Sequence, residues 1–207
     1  MIDQNTYSKD WIGGIAQQLG KRGDPKLVEK VLYALGLLEQ LKQSGLDFIF
    51  KGGTSLLLLT DPPRRFSIDI DIIFKGTKED LEPVLDVVVA MGRFSRWIAD
   101  NDRKHAMDAP VGHYKLYYAS AFDNQFGEEP ILLDVLYSES PYPALVDRPV
   151  QHQWLQTSGE LPVVRIPAIN SILGDKLTAF APNTIGIPYT KNRPVEIIID
   201  DFRFEPL

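Results

Sequence analysis

The sequence contains no cysteine among its 207 residues, which excludes disulfide bonds and thiolate zinc sites. It also has no apolar run of the roughly 18 residues that a membrane span needs. Its first residues, MIDQNTYSKDW, do not follow a signal-peptide pattern. We therefore expect a cytoplasmic protein that does not associate with a membrane.

Basic residues are in deficit, since 22 Lys and Arg against 28 Asp and Glu give a net charge of -6. A protein that binds nucleic acid along its whole surface is usually basic, so any such contact must come from a local patch. The candidate patch comprises Arg93, Arg96, Arg103, Lys104, His105 and Lys115. Ordinary charge mixing on a solvated surface is the favoured interpretation of these six residues.

The remaining composition is that of a globular protein with one sizeable core, with 44% hydrophobic and 24% charged residues. Asp24-Pro25 predicts a helix start, because Asp is a good N-cap and Pro is tolerated at the first helical position. Apolar residues then recur at helical spacing up to Ser44-Gly45. We expect residues 1–45 to form an N-terminal helical element.

Strict alternation over residues 65–72 predicts a β-strand with one apolar face and one acidic face. Asp69 and Asp71 fall on the acidic face together with Arg65, roughly 6.5 to 7 Å apart along the strand. Two like charges at that separation repel unless a cation or proton lies between them. Mg2+ or Mn2+ suits such a pair, whereas a solvated acidic edge strand is the simpler alternative.

The stretch KGGTS, residues 51–55, lies between a short strand-like run and the apolar residues SLLLL. Paired glycines, Gly52 and Gly53, let the backbone approach a ligand closely, and a helix N-terminus offers N–H groups to a phosphate. Thr54 or Ser55 is expected to cap that helix and to contact a phosphate oxygen. The pattern therefore predicts a phosphate cradle, with an ordinary strand-to-helix turn as the alternative.

Four further segments between the DID motif and the last predicted helix have assignable patterns. Residues 131–137, ILLDVLY, predict a buried strand with Asp134 at its centre, where an ionised carboxylate needs a metal or a paired base. A helix is predicted over residues 78–99 and a strand over 113–118, while His105 and His113 lack partners at ligand spacing. Residues 141–167 are rich in proline and are expected to be a connector, with a strand-like run, LPVVRIP, at its end.

A last helix is predicted after Asn170-Ser171, with the sequence ILGDKLTAFA. Lys176 shares a helix face with apolar residues, so its ammonium either reaches back to water or points into a cleft. The residues alone leave these two alternatives open.

The combination of KGGTSL, RFS-x-DID, an apolar strand with a central Asp, and a DKL-x-A helix resembles the AbiEii-like toxin family. These are nucleotidyltransferase-superfamily proteins of type IV toxin-antitoxin, or abortive infection, systems. The resemblance covers residues 48–198. It implies an α/β (α+β) nucleotidyltransferase fold, in which a small mixed sheet is flanked by helices and followed by a mostly helical C-terminal lobe. The corresponding division is a helical element over 1–45, a nucleotidyltransferase core over 46–140 and a C-terminal lobe over 141–207.

The activity implied is NTP-dependent transfer of a nucleoside monophosphate to an acceptor hydroxyl, with RNA, such as the 3' end of a tRNA, as acceptor. A divalent metal and a cognate antitoxin are the other implied partners. Metal ligation and catalysis are expected from Asp69, Asp71 and Asp134. Nucleotide and phosphate binding are expected from Gly52, Gly53, Thr54, Ser55, Arg65 and Lys176, with Asp175 as a weaker neighbour.

The chain departs from the family pattern after residue 190, where further helices are expected, so we expect a shortened or truncated C-terminal lobe. Three alternatives stay open: another DxD enzyme such as a glycosyltransferase, a haloacid-dehalogenase phosphatase, and a catalytically silent module that binds a nucleotide or an antitoxin. The intact trio of Asp69, Asp71 and Asp134 argues against the silent module.

Overall fold

The computed structural model describes residues 1–60, 66–100, 110–122 and 127–178, and within these ranges the chain combines four α-helices with seven β-strands. The helices are α1 (Lys9–Leu19), α2 (Pro25–Gln43), α3 (Lys78–Ala90) and α4 (Ile169–Thr178). The strands are β1 (Phe48–Lys51), β2 (Ile70–Phe74), β3 (Arg96–Ala99), β4 (Val111–Ala119), β5 (Glu128–Tyr137), β6 (Leu145–Pro149) and β7 (Val163–Pro167). This composition confirms the predicted α/β class.

The described strands form one mixed sheet in the order β3-β4-β5-β2-β1-β7-β6. Strand β2 lies between β1, to which it is antiparallel, and β5, to which it is parallel. The three strands that carry the KGGTS, DID and ILLDVLY motifs are therefore immediate neighbours at the centre of the sheet.

The apolar face of this centre packs against α2, which begins where the sequence predicts. The Asp24 carboxylate accepts a hydrogen bond from the backbone N–H of Lys26 at 2.9 Å, and Pro25 occupies the first turn. The apolar residues of α2 and the inward-facing residues of β2 and β5, such as Ile70 and Leu133, belong to one buried core. Because each fully buried large apolar side chain contributes roughly 1.5 to 3 kcal/mol, α2 fixes the sheet that carries the acidic residues.

The helix predicted over residues 78–99 is too long, because α3 ends at Ala90 and β3 follows. Thr77 caps α3 in a capping box with Asp80. Gly92 has a φ of +85°, a left-handed conformation that ends a helix readily. Apolar residues that follow Ala90 continue the helical pattern of the sequence past the end of α3.

Residues 141–167, expected to be a connector, contain β7 within the strand-like run LPVVRIP and also β6, which the sequence does not predict. Strand β7 pairs in parallel with β1, where Ile49 lies opposite Arg165, and β6 is antiparallel to β7. The predicted division near residue 141 therefore does not coincide with an edge of the sheet. Of the predicted C-terminal helical lobe, the described part is α4, and residues 179–207 lie outside the described ranges.

The candidate basic patch is not a free cationic surface where the structure describes it. Arg93 contacts the Glu39 carboxylate at 3.0 Å, Arg96 contacts Glu128 at 2.8 Å and Lys115 contacts Asp100 at 2.9 Å. Charge mixing is thus confirmed for Arg96 and Lys115, whereas Arg93 and Glu39, whose side chains are 13% and 2% exposed, form a buried ion pair. The other predicted members, Arg103, Lys104 and His105, lie outside the described ranges. Across the described helices, none is both long and apolar enough to span a membrane.

Candidate active site

Four polar residues form a row across the central strands of the sheet. The strand registers place Lys51 opposite Asp71, Asp71 opposite Asp134, and Asp134 opposite His113. Directly opposed residues on neighbouring strands project from the same face, and neighbouring strands are about 4.8 Å apart. The sheet therefore brings Asp71 and Asp134, 63 positions apart in the sequence, side by side as predicted.

Asp69 lies immediately before β2, because the strand begins at Ile70 and not at residue 65 as the alternation predicts. Its backbone carbonyl accepts a hydrogen bond from the Thr54 hydroxyl at 2.6 Å, which ties the segment before β2 to the glycine turn. Asp69 also raises the pKa of Asp71 electrostatically, so the three carboxylates influence a common region. Arg65, predicted to share their face, lies outside the described ranges.

The Asp71 carboxylate is held where its charged form is disfavoured. Burial is the main cause and raises the pKa of Asp71 to about 6, with Asp134 and Asp69 adding to the effect. Lys51 and Lys176 oppose it by lowering the pKa of Asp71. A further positive charge at this position would stabilise the ionised carboxylate.

Gly52 packs directly against this carboxylate. A Cβ added at Gly52 would lie 2.1 Å from Oδ2 of Asp71, and the φ of Gly52 is +78°. Both the contact and the backbone conformation require glycine. A Cβ added at Gly53 would lie 3.0 Å from the Ser67 hydroxyl oxygen and 3.9 Å from Nζ of Lys176. The structure thus brings the glycine turn, Asp71 and Lys176 together.

Thr54 and Ser55 are fully buried and use their hydroxyls within the turn. The Thr54 hydroxyl donates to the Asp69 carbonyl, and the Ser55 hydroxyl donates to the Gly52 carbonyl at 2.7 Å. The turn continues as a 3₁₀ helix over Thr54–Leu58. Gly53 is at its N-cap position, and no side chain among the described residues caps this helix. The predicted side-chain cap is therefore wrong, and these hydroxyls instead fix the shape of the turn.

Helix α4 carries Lys176 to this face, and Tyr142 holds the neighbouring residue of the same helix. The Tyr142 hydroxyl donates a hydrogen bond to the Asp175 carboxylate. Burial, the contact with Asp175 and, more weakly, the charge of Asp71 all raise the pKa of Tyr142. Tyr142 is therefore close to the carboxylate row, although the sequence PYPALVDRP gave no signal for it.

Lys51 and His113 are the other two site residues that sequence reasoning missed. Lys51 belongs to the KGGTS motif, which predicts a turn but no role for this lysine. His113 has its partner 21 positions away, at a position that the register of β4 and β5 determines. The alternating pattern of HYKLYY predicts that His113 lies on one face of a strand. It does not show which strand lies beside it.

The site residues fit a hard divalent cation. No three His, Asp or Glu side chains converge as a complete ligand set within the described residues. Mg2+, however, is usually held by one or two carboxylates and completed by water and substrate phosphate. Asp71 and Asp134 supply such a pair in register, and Asp69 lies two residues from the first of them. Burial raises the pKa of Asp71, so a bound cation would stabilise its ionised form.

The sequence matches a model of the family described as nucleotidyl transferase AbiEii toxin, type IV TA system, over residues 36–194. The chain belongs to this family. The predicted resemblance is thereby confirmed, and with it the assignment of the mixed sheet and its helices to the nucleotidyltransferase fold. No curated protein matches the sequence.

Two solved structures are similar to this AbiEii family member. JHP933 from Helicobacter pylori is 22% identical with a TM-score of 0.47, over 73% of this chain and 57% of JHP933. An H. pylori protein provisionally described as a nucleotidyltransferase is 21% identical with a TM-score of 0.44, over 72% of this chain and 58% of that one. The chain thus spans less than two thirds of the length of both structures.

Proposed function

We propose that this AbiEii family member transfers a nucleoside monophosphate from an NTP to an acceptor hydroxyl and releases pyrophosphate. The observation that carries the proposal is the register of Asp71 beside Asp134, next to the turn of Gly52 and Gly53 and to Lys176. Paired carboxylates, a close-approach backbone and a lysine are the components that phosphoryl-transfer sites use for positioning and charge stabilisation.

In this reaction the acceptor oxygen attacks the α-phosphorus of the NTP. A bond forms between that oxygen and phosphorus, and the bond from the α-phosphorus to the oxygen bridging the β-phosphate breaks. The leaving group is pyrophosphate. Asp134 orients the acceptor hydroxyl and accepts its proton, in keeping with its side chain being 28% exposed.

The phosphates are bound by the turn and by two basic side chains in this account. Backbone N–H groups of Gly52, Gly53, Thr54 and Ser55 line the triphosphate, the Lys176 ammonium neutralises it, and Arg65 contacts the nucleotide. The Thr54 and Ser55 hydroxyls support the turn, since both already donate to backbone carbonyls. Mg2+ or Mn2+ held by Asp69, Asp71 and Asp134 would supply charge neutralisation at the phosphates.

The acceptor we propose is RNA, a tRNA-like 3' end in particular, and the partner we propose is a cognate antitoxin. Both proposals rest on membership of a toxin family of type IV toxin-antitoxin systems. The acceptor chemistry requires only a hydroxyl positioned near Asp134. A protein hydroxyl would satisfy the same chemistry, so the experiment must offer both.

The experiment supplies each of the four α-labelled NTPs with Mg2+ or Mn2+ to total RNA and to the protein itself. Label is expected on RNA with the wild type and is expected to be lost with Asp71→Asn. The matched control is Asp147→Asn, an exposed aspartate on β6 that should keep full activity. If NTP binds in a metal-dependent way but no label is transferred, the silent binding module replaces this proposal. Turnover of a sugar nucleotide in place of NTP would indicate a glycosyltransferase.

A further inference from the structure

His113 forms a cross-strand pair with the third carboxylate of the site. Its Nδ1 lies 2.5 Å from Oδ1 of Asp134, and their side chains are 13% and 28% exposed. When Asp134 is ionised it can only accept hydrogen bonds, and the Nδ1–H of His113 then donates a hydrogen bond to Oδ1. This hydrogen bond restricts the rotation of the carboxylate about its Cβ–Cγ bond.

The backbone on which His113 lies is itself held on two sides. Strand β4 pairs with β5 along nine residues, and the N–H of Asp100 donates to the His113 carbonyl at 2.7 Å. The next residue, Tyr114, is buried on the opposite face, with its hydroxyl 2.7 Å from that of Tyr137. The imidazole is therefore presented to Asp134 by a rigid strand and not by a loop.

The two in-register carboxylates are positioned by different neighbours. Asp71 packs against the backbone of Gly52, and Asp134 is held by the ring of His113. Groups that hold a ligand carboxylate or a catalytic base in one orientation typically change metal affinity or activity by about 10- to 100-fold when removed.

We propose that His113 is a positioning residue that orients the Asp134 carboxylate towards the metal and the acceptor hydroxyl. This inference rests on the proposed nucleotidyl transfer. It does not require His113 to touch the NTP or the acceptor.

Three substitutions of His113 distinguish the loss of its hydrogen-bond donor from a change in side-chain size. Asparagine carries an N–H at about the position of Nδ1, glutamine places its amide nearer to Nε2, and leucine has no donor. We expect His113→Asn to stay close to the wild type, and His113→Gln and His113→Leu to lower kcat by about 10- to 100-fold with little change in the KM for NTP. Circular dichroism checks that each variant is folded. If the Leu variant does not fold, the comparison of the Asn and Gln variants tests the proposal.

A second readout does not depend on turnover. Mn2+ affinity is measured by electron paramagnetic resonance of the free ion, without NTP, for the wild type and each variant. We expect the Gln and Leu variants to bind Mn2+ about 10- to 100-fold more weakly, and Asn to retain affinity. Equal affinity and equal kcat in all four proteins would overturn the positioning role, and so would an equal loss in folded Asn, Gln and Leu variants.

The two readouts also separate this inference from the proposed function. A wild type that binds Mn2+ but transfers no label would contradict nucleotidyl transfer, while the variant series in Mn2+ affinity would still decide the role of His113. A wild type that neither transfers label nor binds Mn2+ would overturn both.

Discussion

The Asp71 carboxylate lies in an environment that favours its protonated form in the metal-free protein. Its pKa rises from 3.8 to about 6, mainly through burial. Between these two values the folded protein binds more protons than the unfolded chain, so the free energy of unfolding falls as pH rises through this range. Above about pH 6 the ionised Asp71 lowers the free energy of unfolding of the metal-free protein. A divalent cation bound at this carboxylate would offset that loss.

Replacing Asp71 by Asn tests this electrostatic cost. With a metal chelator at about pH 7.5, Asp71→Asn should raise the free energy of unfolding by up to about 3 kcal/mol, the equivalent of the rise in the pKa of Asp71 from 3.8 to about 6. The gain over the wild type should shrink as the pH is lowered towards 4, because Asp71 is then protonated. Urea unfolding across this pH range measures both values. Asp147→Asn should show no gain, and a gain for Asp71→Asn that is independent of pH would contradict the account.

Gly52 can be compared with Gly45, which has a similarly positive φ but has space for a side chain. Gly45 has a φ of +85° with nothing within 4 Å of an added Cβ, whereas at Gly52 the Cβ would meet Asp71. We expect Gly45→Ala to cost about 1 to 2 kcal/mol of stability and to leave transfer intact. Gly52→Ala should cost more and should also reduce transfer. Equal effects of the two substitutions in urea unfolding and in the labelling assay would show that Gly52 serves only the turn.

Local patterns predicted the elements at the centre of the sheet and failed where pairing is long-range. The start of α2 at Pro25 and the strand around Asp134 follow from capping and apolar runs within a few residues. The run LPVVRIP predicts a strand, but the place of β7 in the sheet comes from pairing with β6 and with β1, the latter more than 110 positions away, and the proline-rich surroundings suggest a connector. The missed contact of His113 with Asp134 has the same cause, since strand register and not sequence spacing creates it.

Helix α4 is held near the carboxylate row by Tyr142, and this contact can be removed without a change of volume. Tyr142→Phe should raise the KM for NTP about 2- to 10-fold, the equivalent of one lost hydrogen bond, because Asp175 adjoins Lys176. The matched control is Tyr114→Phe, which removes a tyrosine hydroxyl contact on the opposite face of the sheet. Steady-state kinetics should show a normal KM for the control. Equal KM values in the two variants would show that the Tyr142 hydroxyl does not contribute to nucleotide binding.

The acidic molecule as a whole gives little attraction to RNA, and the paired bases on β3 and β4 add none. Arg96 is bound to Glu128 and stacks over the Tyr117 ring at 3.7 Å. We expect Arg96→Ala to cost no more than about 1 kcal/mol of stability, as is typical of exposed ion pairs, and to leave RNA labelling unchanged. Glu128→Ala is the matched control, because it breaks the same pair and keeps the base. A loss of RNA labelling in the Arg96 variant alone would show that this surface binds the acceptor.

The most direct test of the account compares NTP labelled at the α-phosphate with the same NTP labelled at the γ-phosphate. We predict that only the α-label enters the acceptor and that the γ-label leaves in pyrophosphate, with both events lost in Asp71→Asn. Transfer of the γ-label to the acceptor would instead indicate a kinase reaction at the same carboxylates, and would contradict nucleotidyl transfer.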